Sequence, residues 1–218
     1  MGRMPWSSNG TFLGQVTCGE VQTLAIYKPR RGERPLWDFP SGTLAAREVA
    51  AYVVSEALDW SIVPPTVLRD GPLGEGSVQL FIDHDPDEHY LTLSDRYADR
   101  FRYFAAFDLV VNNADRKSGH CIRSRDDHIW GIDHGLTFHA SPKLRTVIWD
   151  FAGDRVPAAI RNAMAALAEG LAGDLRPSLL ALIDEDEVET TRRRAARLAD
   201  AAHYPEPRTD YPYPWPMV

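Results

Sequence analysis

Two aspartate-containing segments, one on each side of a short hairpin, constrain the fold of this 218-residue chain more than any other feature of its sequence. The first is the loop 112–120, which contains Asp115 and ends at His120, and the second is an Asp-His-Gly tripeptide at 133–135, thirteen residues after His120. The intervening residues 121–132 alternate around an Asp-Asp pair, which predicts a small hairpin. An Asp-His-Gly triplet alone says little, because capped turns carry such triplets by chance. Joined to the upstream loop at this offset, it becomes a more specific pattern.

These segments resemble the Asp-Arg-His-x-x-Asn catalytic loop and the Asp-Phe-Gly metal motif of phosphatidylinositol kinases and their bacterial relatives, which include HipA-like protein kinases. In these proteins a strand hairpin separates the two motifs. The resemblance implies that Asp115 and Arg116 belong to a catalytic loop in which the aspartate reaches the acceptor hydroxyl. It also implies that His120 and Asp133 bind the metal ions that bridge the phosphates of ATP.

His120 departs from the family pattern, which usually has a carboxamide at its place. An imidazole nitrogen is a poorer partner than an oxygen for Mg²⁺. The departure therefore predicts a shift of metal preference toward Mn²⁺, unless His120 is not a ligand and only caps the loop or faces solvent. A third alternative is that the protein has only weak activity.

A lysine and a glutamate occur earlier in the order that a kinase requires. In kinases a lysine on the third strand holds the α and β phosphates, and a glutamate on the next helix orients it. Lys28 closes a β-favouring run, and Glu48 lies twenty residues later, near the middle of a helix predicted over 43–58. Glu56 is the second choice for the glutamate. Without this shared order, Lys28 would be read as an exposed strand-end lysine and Glu48 as a solvated helix residue.

Two further segments occupy the places of nucleotide contacts in such a layout. Small residues before the strand of Lys28 lie where a kinase has the hairpin that covers the phosphates. Free backbone N–H groups can bind phosphate there. An ordinary hairpin turn explains these residues equally well. The segment after residue 80 would connect two lobes, and its backbone groups would face adenine. This assignment rests only on the position of the segment in the sequence. The predicted contacts are Ser8, Asn9, Gly10, Phe81, Ile82 and Asp83.

The resemblance and the periodicity together predict an α+β, two-lobed protein-kinase-like fold, with a small β-rich N-lobe that carries one main helix and a mostly helical C-lobe. The expected boundaries are 1–83 for the N-lobe, 84–204 for the C-lobe and 205–218 for a Pro/Tyr-rich tail, extended and either pinned by its aromatics or loose. Strands are predicted within 7–27 and at 62–68 and 77–82, with a turn at 69–76. Helices are predicted at 43–58, 94–113, 158–172, 177–183 and 185–202.

Composition excludes several classes of protein. With 44% hydrophobic and 25% charged residues the chain is expected to form a compact core. A net charge of -7 argues against nucleic-acid binding, which needs a basic surface. Neither a run of about 18 apolar residues nor a signal peptide is seen, so we predict a cytoplasmic protein without a transmembrane segment. Cys18 and Cys121 lie far apart, which gives no disulfide framework or zinc pattern.

The resemblance covers about residues 6–150 and is closest to small actinobacterial-type proteins termed phosphatidylinositol 3- and 4-kinase-like, which share the segment 27–40. It implies a phosphotransferase that uses ATP with Mg²⁺ or Mn²⁺ and acts on a hydroxyl of a protein or small molecule. Two alternatives stay open: a phosphoinositide lipid kinase, and a nucleotide-binding pseudokinase or protein-interaction module with little catalysis.

Basic residues near the predicted site bear on the lipid alternative. After the metal motif, the segment 136–157 offers only Lys143, Arg145 and Arg155 to a phosphorylated head group. A second basic cluster, at 30–34, follows the nucleotide lysine and is expected to contact phosphate or the acidic C-lobe, or to be a solvated loop. Peripheral contact with an anionic lipid remains open.

Overall fold

An antiparallel five-stranded sheet forms the amino-terminal half of the computed structural model, which describes residues 2–3, 10–207 and 211–218. Its spatial order is β1-β2-β3-β5-β4, so β3 lies at the centre. The strands are β1 (Gly2–Arg3), β2 (Phe12–Cys18), β3 (Val21–Pro29), β4 (Thr66–Gly71) and β5 (Gly74–Leu80).

The pairing of β3 with β5 fixes the end of β3, where Lys28 stands opposite Ser77 and Pro29 opposite Gly76. Gly76 is required there because a Cβ atom would overlap the carbonyl oxygen of Lys28 and lie 2.7 Å from Cα of Pro29. The close approach of the two strands therefore depends on a residue without a side chain.

Helix α1 (Leu44–Ala57) follows β3 and carries Glu48 on a buried face. It lies within one residue of the helix predicted over 43–58 at each end. The interior of α1 contains neither Gly nor Pro, and Ala50, Ala51 and Val54 are fully buried in the main core. A single helix thus faces both the sheet and the rest of the molecule.

The predictions for β4 and its turn are wrong in their bounds. The strand begins at Thr66 rather than at residue 62, because Ile62 and Val63 are fully buried core residues whose N–H groups donate to Oγ of Ser55, 2.8 and 3.1 Å away. The predicted turn 69–76 shrinks to two residues because β4 and β5 stay paired as far as Gly71 and Gly74. Pairing across the sheet outweighed the local turn signal.

The carboxyl-terminal half is mainly helical. Its helices are α2 (Tyr90–Leu93), α3 (Ala98–Val111), α4 (Ala158–Ala172), α5 (Arg176–Leu180) and α6 (Glu185–Asp200), and its strands are β6 (Cys121–Arg123) and β7 (Ile129–Gly131). The hairpin 121–132 and the helix 158–172 are confirmed, whereas the helix predicted at 94–113 is the shorter α3, which is followed by Asn112 with a left-handed φ of 53°. Helix α2 precedes the predicted range. The helix predicted at 177–183 is the shorter α5.

The two halves share one hydrophobic core. Phe101, Phe104 and Phe107 on α3 are fully buried and belong to the same cluster as Val54 of α1. The α+β fold class, with its β-rich amino-terminal half and helical carboxyl-terminal half, is confirmed. Within the described part of the chain, no helix combines the length and the apolar character that crossing a membrane requires.

Candidate active site

Lys28 lies where the two halves meet. Its ammonium forms an ion pair with Glu48 of α1, and Nζ is 2.8 Å from Oδ1 of Asp133 in the loop after β7. Burial by itself lowers the pKa of Lys28, but the charges of Asp133 and Glu48 outweigh it and raise the pKa above its usual value. The site therefore contains a permanent positive charge between two carboxylates from different parts of the chain.

Glu48 connects α1 to the Asp-His-Gly turn as well as to Lys28. Its Oε2 accepts a hydrogen bond of 2.9 Å from the backbone N–H of His134. Gly135 lets the turn lie close to the helix, because a Cβ there would be 3.3 Å from Cβ of Leu44. The side chain of Glu48 is 4% exposed, so both of its bonds lie out of reach of most solvent.

Asp133 has a left-handed backbone, with φ of 61°, a conformation that aspartate tolerates better than most residues. Its side chain is half exposed, with Oδ1 toward Lys28 and Oδ2 3.4 Å from Nε2 of His120. The charge of Lys28 holds the pKa of Asp133 well below its usual range. Asp133 is thus an ionised, half-exposed carboxylate between Lys28 and His120.

His120 ends a short 3-10 turn (Ser118–His120), and its side chain is only 14% exposed. Burial lowers the pKa of His120 to about 4, so the ring is neutral at pH 7. Nδ1 accepts a long bond of 3.4 Å from the N–H of Lys117, which places the ring proton on Nε2, facing Asp133. Binding a metal through Nε2 would require that proton to move to Nδ1, at the cost of one weak hydrogen bond.

Asp115 stands in the preceding loop, held by an Asx turn in which its N–H donates to Oδ1 of Asn113 at 3.0 Å. Its carboxylate is 3.3 Å from Nζ of Lys117. Burial raises the pKa of Asp115 to about 6, although Lys117 opposes the shift. The pKa of Asp133 is lowered and that of Asp115 is raised. Asp115 can therefore take up a proton near neutral pH, whereas Asp133 stays ionised.

Lys117 was missed by the sequence analysis. The signal that could have found it is its place two residues after Asp115, where a cation in the same loop can reach the carboxylate.

Arg116 is completely buried and does not reach the open side of the site. Its guanidinium donates to Asp108 of α3, with Nη2 2.9 Å from Oδ1, and Nη2 is 2.6 Å from Nε2 of His134. Nη1 donates to the carbonyl oxygens of His120 and Ile132 at 3.3 and 3.2 Å. Arg116 therefore ties the loops of both aspartates together. This corrects its assignment to the catalytic group, because it positions those loops and cannot contact a substrate.

Asp108, the partner of Arg116, was also missed by the sequence analysis. The signal that could have found it is a lone carboxylate in the otherwise apolar second half of α3.

The structure describes only some of the predicted nucleotide contacts. Ser8 and Asn9 lie outside the described residues, whereas the N–H of Gly10 donates to the carbonyl of Gly32 at 3.0 Å. Phe81, Ile82 and Asp83 follow directly after β5. The N–H of Phe81 is already bonded to Leu24, at 3.0 Å, and Asp83 forms an exposed ion pair with Arg125.

The segment 211–218 contacts the loop of Asp115, which the sequence analysis did not predict. The carbonyl oxygen of Met217 accepts a bond of 2.8 Å from the N–H of Ser118. The carbonyl of Pro212 accepts bonds from N–H of Thr146 and Nε1 of Trp149, at 3.0 and 3.1 Å. The hydrogen bonds described for this segment are accepted by its backbone carbonyls, and the side chain of Trp215 is 91% exposed.

Comparison with known proteins identifies a relative by sequence and a kinase with a similar fold. No protein-family model matches the chain. Protein Rv2133c of Mycobacterium tuberculosis is 41% identical, in an alignment that covers 99% of this chain and 90% of the relative. The crystal structure of the Helicobacter pylori proinflammatory kinase CtkA matches with a TM-score of 0.51 and 12% identity, covering 91% of this chain and 92% of that one. At so low an identity the likeness shows a kinase-like fold alone.

Proposed function

We propose that this chain, which belongs to the same family as the mycobacterial protein Rv2133c, is an ATP-dependent phosphotransferase that moves the γ-phosphoryl group of ATP to a hydroxyl of a protein or small molecule. The observation that carries the proposal is the ammonium of Lys28 between the carboxylates of Glu48 and Asp133. A kinase needs these three residue types in this arrangement to hold phosphates and metal. The kinase-like fold supports the same reading.

On the nucleotide side, Lys28 would bind the α and β phosphates while Glu48 keeps its ammonium in place. Gly10 would lie over the phosphates, and the connection 81–83 would contact adenine. In this proposal 1–83 is the N-lobe, 84–204 the C-lobe and 205–218 the tail.

Asp133 and His120 would hold a divalent ion. Among the described residues, no group of three or more His, Cys, Asp or Glu side chains is placed to hold a metal ion by itself. This fits an ion such as Mg²⁺ or Mn²⁺ bound with ATP, because such ions commonly take one or two protein ligands and complete their shell with phosphate oxygens and water. When bound, the ion would neutralise the negative charge of the phosphates.

Asp115 would accept the proton of the acceptor hydroxyl. The hydroxyl oxygen forms a bond to the γ-phosphorus while the bond from that phosphorus to the β–γ bridging oxygen breaks and ADP leaves. A carboxylate with a pKa of about 6 is mostly ionised at pH 7.5 and still basic enough to take a proton. Lys117, 3.3 Å from Asp115, would lie beside the transferred group.

A nucleotide-binding pseudokinase is the second candidate, because His120 replaces the oxygen ligand that the family pattern has. The lipid-kinase alternative is supported less well. Lys143, one of the three basic residues after the metal motif, is paired with Asp38 at 2.9 Å and lies over the ring of Trp37.

Two assays test the proposal. ATP with Mg²⁺ or Mn²⁺ should raise the melting temperature, because a ligand at 100 times its Kd stabilises a folded protein by about 2.7 kcal/mol. Asp133→Ala should lose this metal-dependent shift, whereas Asp70→Ala, which removes an exposed carboxylate on β4, should keep it. No shift and no heat of binding in the wild-type protein would refute the proposal. Labelled ATP, with and without extracted lipids, then separates a kinase from a lipid kinase and from a pseudokinase.

A further inference from the structure

A buried arginine lies next to Glu48 on α1 and has no part in the phosphoryl transfer described above. Arg47 is 1% exposed, and all three nitrogens of its guanidinium donate hydrogen bonds. Nε bonds Oγ1 of Thr43 at 3.1 Å, Nη1 bonds the carbonyl of Thr137 at 2.6 Å, and Nη2 bonds Oε1 of Glu187 at 2.7 Å. One side chain thus joins the start of α1, the segment after the Asp-His-Gly turn and the start of α6.

Glu187 is itself fixed at the first turn of α6. Its Oε2 accepts a bond of 3.3 Å from the N–H of Asp184 in a capping box, and its side chain is 8% exposed. A buried ion pair contributes little net stability, but removing one partner leaves an unpaired buried charge. The pair of Arg47 and Glu187 therefore opposes any movement of α1 away from α6.

Thr137 links Arg47 to the Asp-His-Gly turn. Its carbonyl accepts from Arg47, and its Oγ1 donates to the carbonyl of His134 at 2.6 Å. The N–H of His134 donates to Glu48, which follows Arg47 in the sequence. The four residues form a closed ring of contacts that begins and ends on α1. The turn that holds Asp133 cannot move along the helix without breaking a buried hydrogen bond.

We propose that Arg47 is a positioning residue, which holds α1 at the place where Glu48 meets both Lys28 and the turn of Asp133. The inference rests on the proposed function. The main core holds α1 further along the helix, through Ala50, Ala51 and Val54. Next to the site the apolar cluster is small, and its buried members among the described residues are Phe39, Leu44 and Ala114. Hydrophobic contact of that size is non-directional, whereas the guanidinium fixes three bond directions at once.

The test compares Arg47→Met with Arg194→Met. Arg194 lies on α6 and donates to the carbonyl oxygens of His139 and Ala140 at 2.5 and 3.0 Å, so its loss also weakens the packing of α6 but leaves the three hydrogen bonds of Arg47 in place. At a temperature where both variants are fully folded, we expect Arg47→Met to raise the Kd for ATP with Mn²⁺ at least tenfold and Arg194→Met to change it less than twofold.

Arg47→Lys provides a second readout if Arg47→Met does not fold. A lysine can pair with Glu187 but cannot also reach Thr43 and Thr137 in fixed directions. It should recover most of the melting temperature and little of the ATP affinity. Unchanged ATP affinity in a destabilised Arg47 variant would overturn the positioning role and leave the proposed function intact. A wild-type protein that binds no ATP would overturn both.

Discussion

Asp115→Asn should make the protein more stable while it removes phosphoryl transfer. In the folded protein burial raises the pKa of Asp115 from its ordinary 3.8 to about 6, so the folded state disfavours the ionised carboxylate. Stability from this group is therefore fully present below pH 3.8 and is lost as the pH rises through 6. Asparagine resembles the neutral acid in shape and carries no charge at any of these pH values.

The size of the effect follows from the two pKa values. The difference between 3.8 and about 6, at about 1.4 kcal/mol for each pH unit, corresponds to about 3 kcal/mol. Because the side chain of Asp115 is 24% exposed, solvent screens part of this energy, and we expect a gain of about 2 kcal/mol at pH 7.5. The gain should shrink below pH 6 and vanish near pH 4.

Urea unfolding of the wild-type protein and of Asp115→Asn, at several pH values between 4 and 8, measures this gain. Asp70→Asn serves as the control, because it removes the same charge from an exposed place on β4 and should change the free energy of unfolding by less than about 0.5 kcal/mol at every pH. If Asp115→Asn is no more stable than the wild-type protein at pH 7.5, burial does not disfavour the ionised carboxylate of Asp115, and the reasoning is refuted.

The same variant separates the two carboxylates functionally. Asp115→Asn should bind ATP with metal as the wild-type protein does and lose transfer by a factor of about 10² to 10⁴. In the wild-type protein the transfer rate should rise with pH through about 6, as Asp115 becomes able to accept a proton. Loss of ATP binding in Asp115→Asn would show that Asp115 holds nucleotide or metal instead.

Two further predictions concern the metal and the sheet. His120→Asn should strengthen ATP binding with Mg²⁺ relative to Mn²⁺, because an amide oxygen replaces the imidazole nitrogen; an unchanged ratio in calorimetry would remove His120 from the set of ligands. Gly76→Ala should lower the free energy of unfolding by about 2 kcal/mol, because its Cβ would overlap the backbone of β3. Gly170→Ala on α4, where the nearest neighbour of a Cβ would be 3.6 Å away, should not destabilise the protein, and equal urea midpoints of the two variants would contradict the argument.

The order of chemical groups along the chain was readable from the sequence. Lys28, Glu48, Asp115 and Asp133 occur at spacings that a kinase needs, and three of them, Lys28, Glu48 and Asp133, meet at one ammonium in the structure. The periodic pattern of α1 predicted its bounds within one residue, because a helix with a buried face repeats its apolar positions over several turns. The helix pattern depends on neighbours in the sequence, and the order of the four charged residues was recognised through the resemblance to known kinases, so a single sequence was enough for both.

The supports of the site depended on tertiary structure. Arg47 and Glu187 are 140 positions apart, and nothing near either residue shows that it will be buried or paired. Arg116 was read as part of the chemistry, since an arginine beside a catalytic aspartate looks the same in sequence whether it faces a substrate or Asp108. The segment 211–218 reaches Ser118, Thr146 and Trp149 through backbone carbonyls, which every residue has and no side-chain pattern reveals. A sequence thus determines which charges a chain carries, and only the folded chain decides which of them lose water and need a partner.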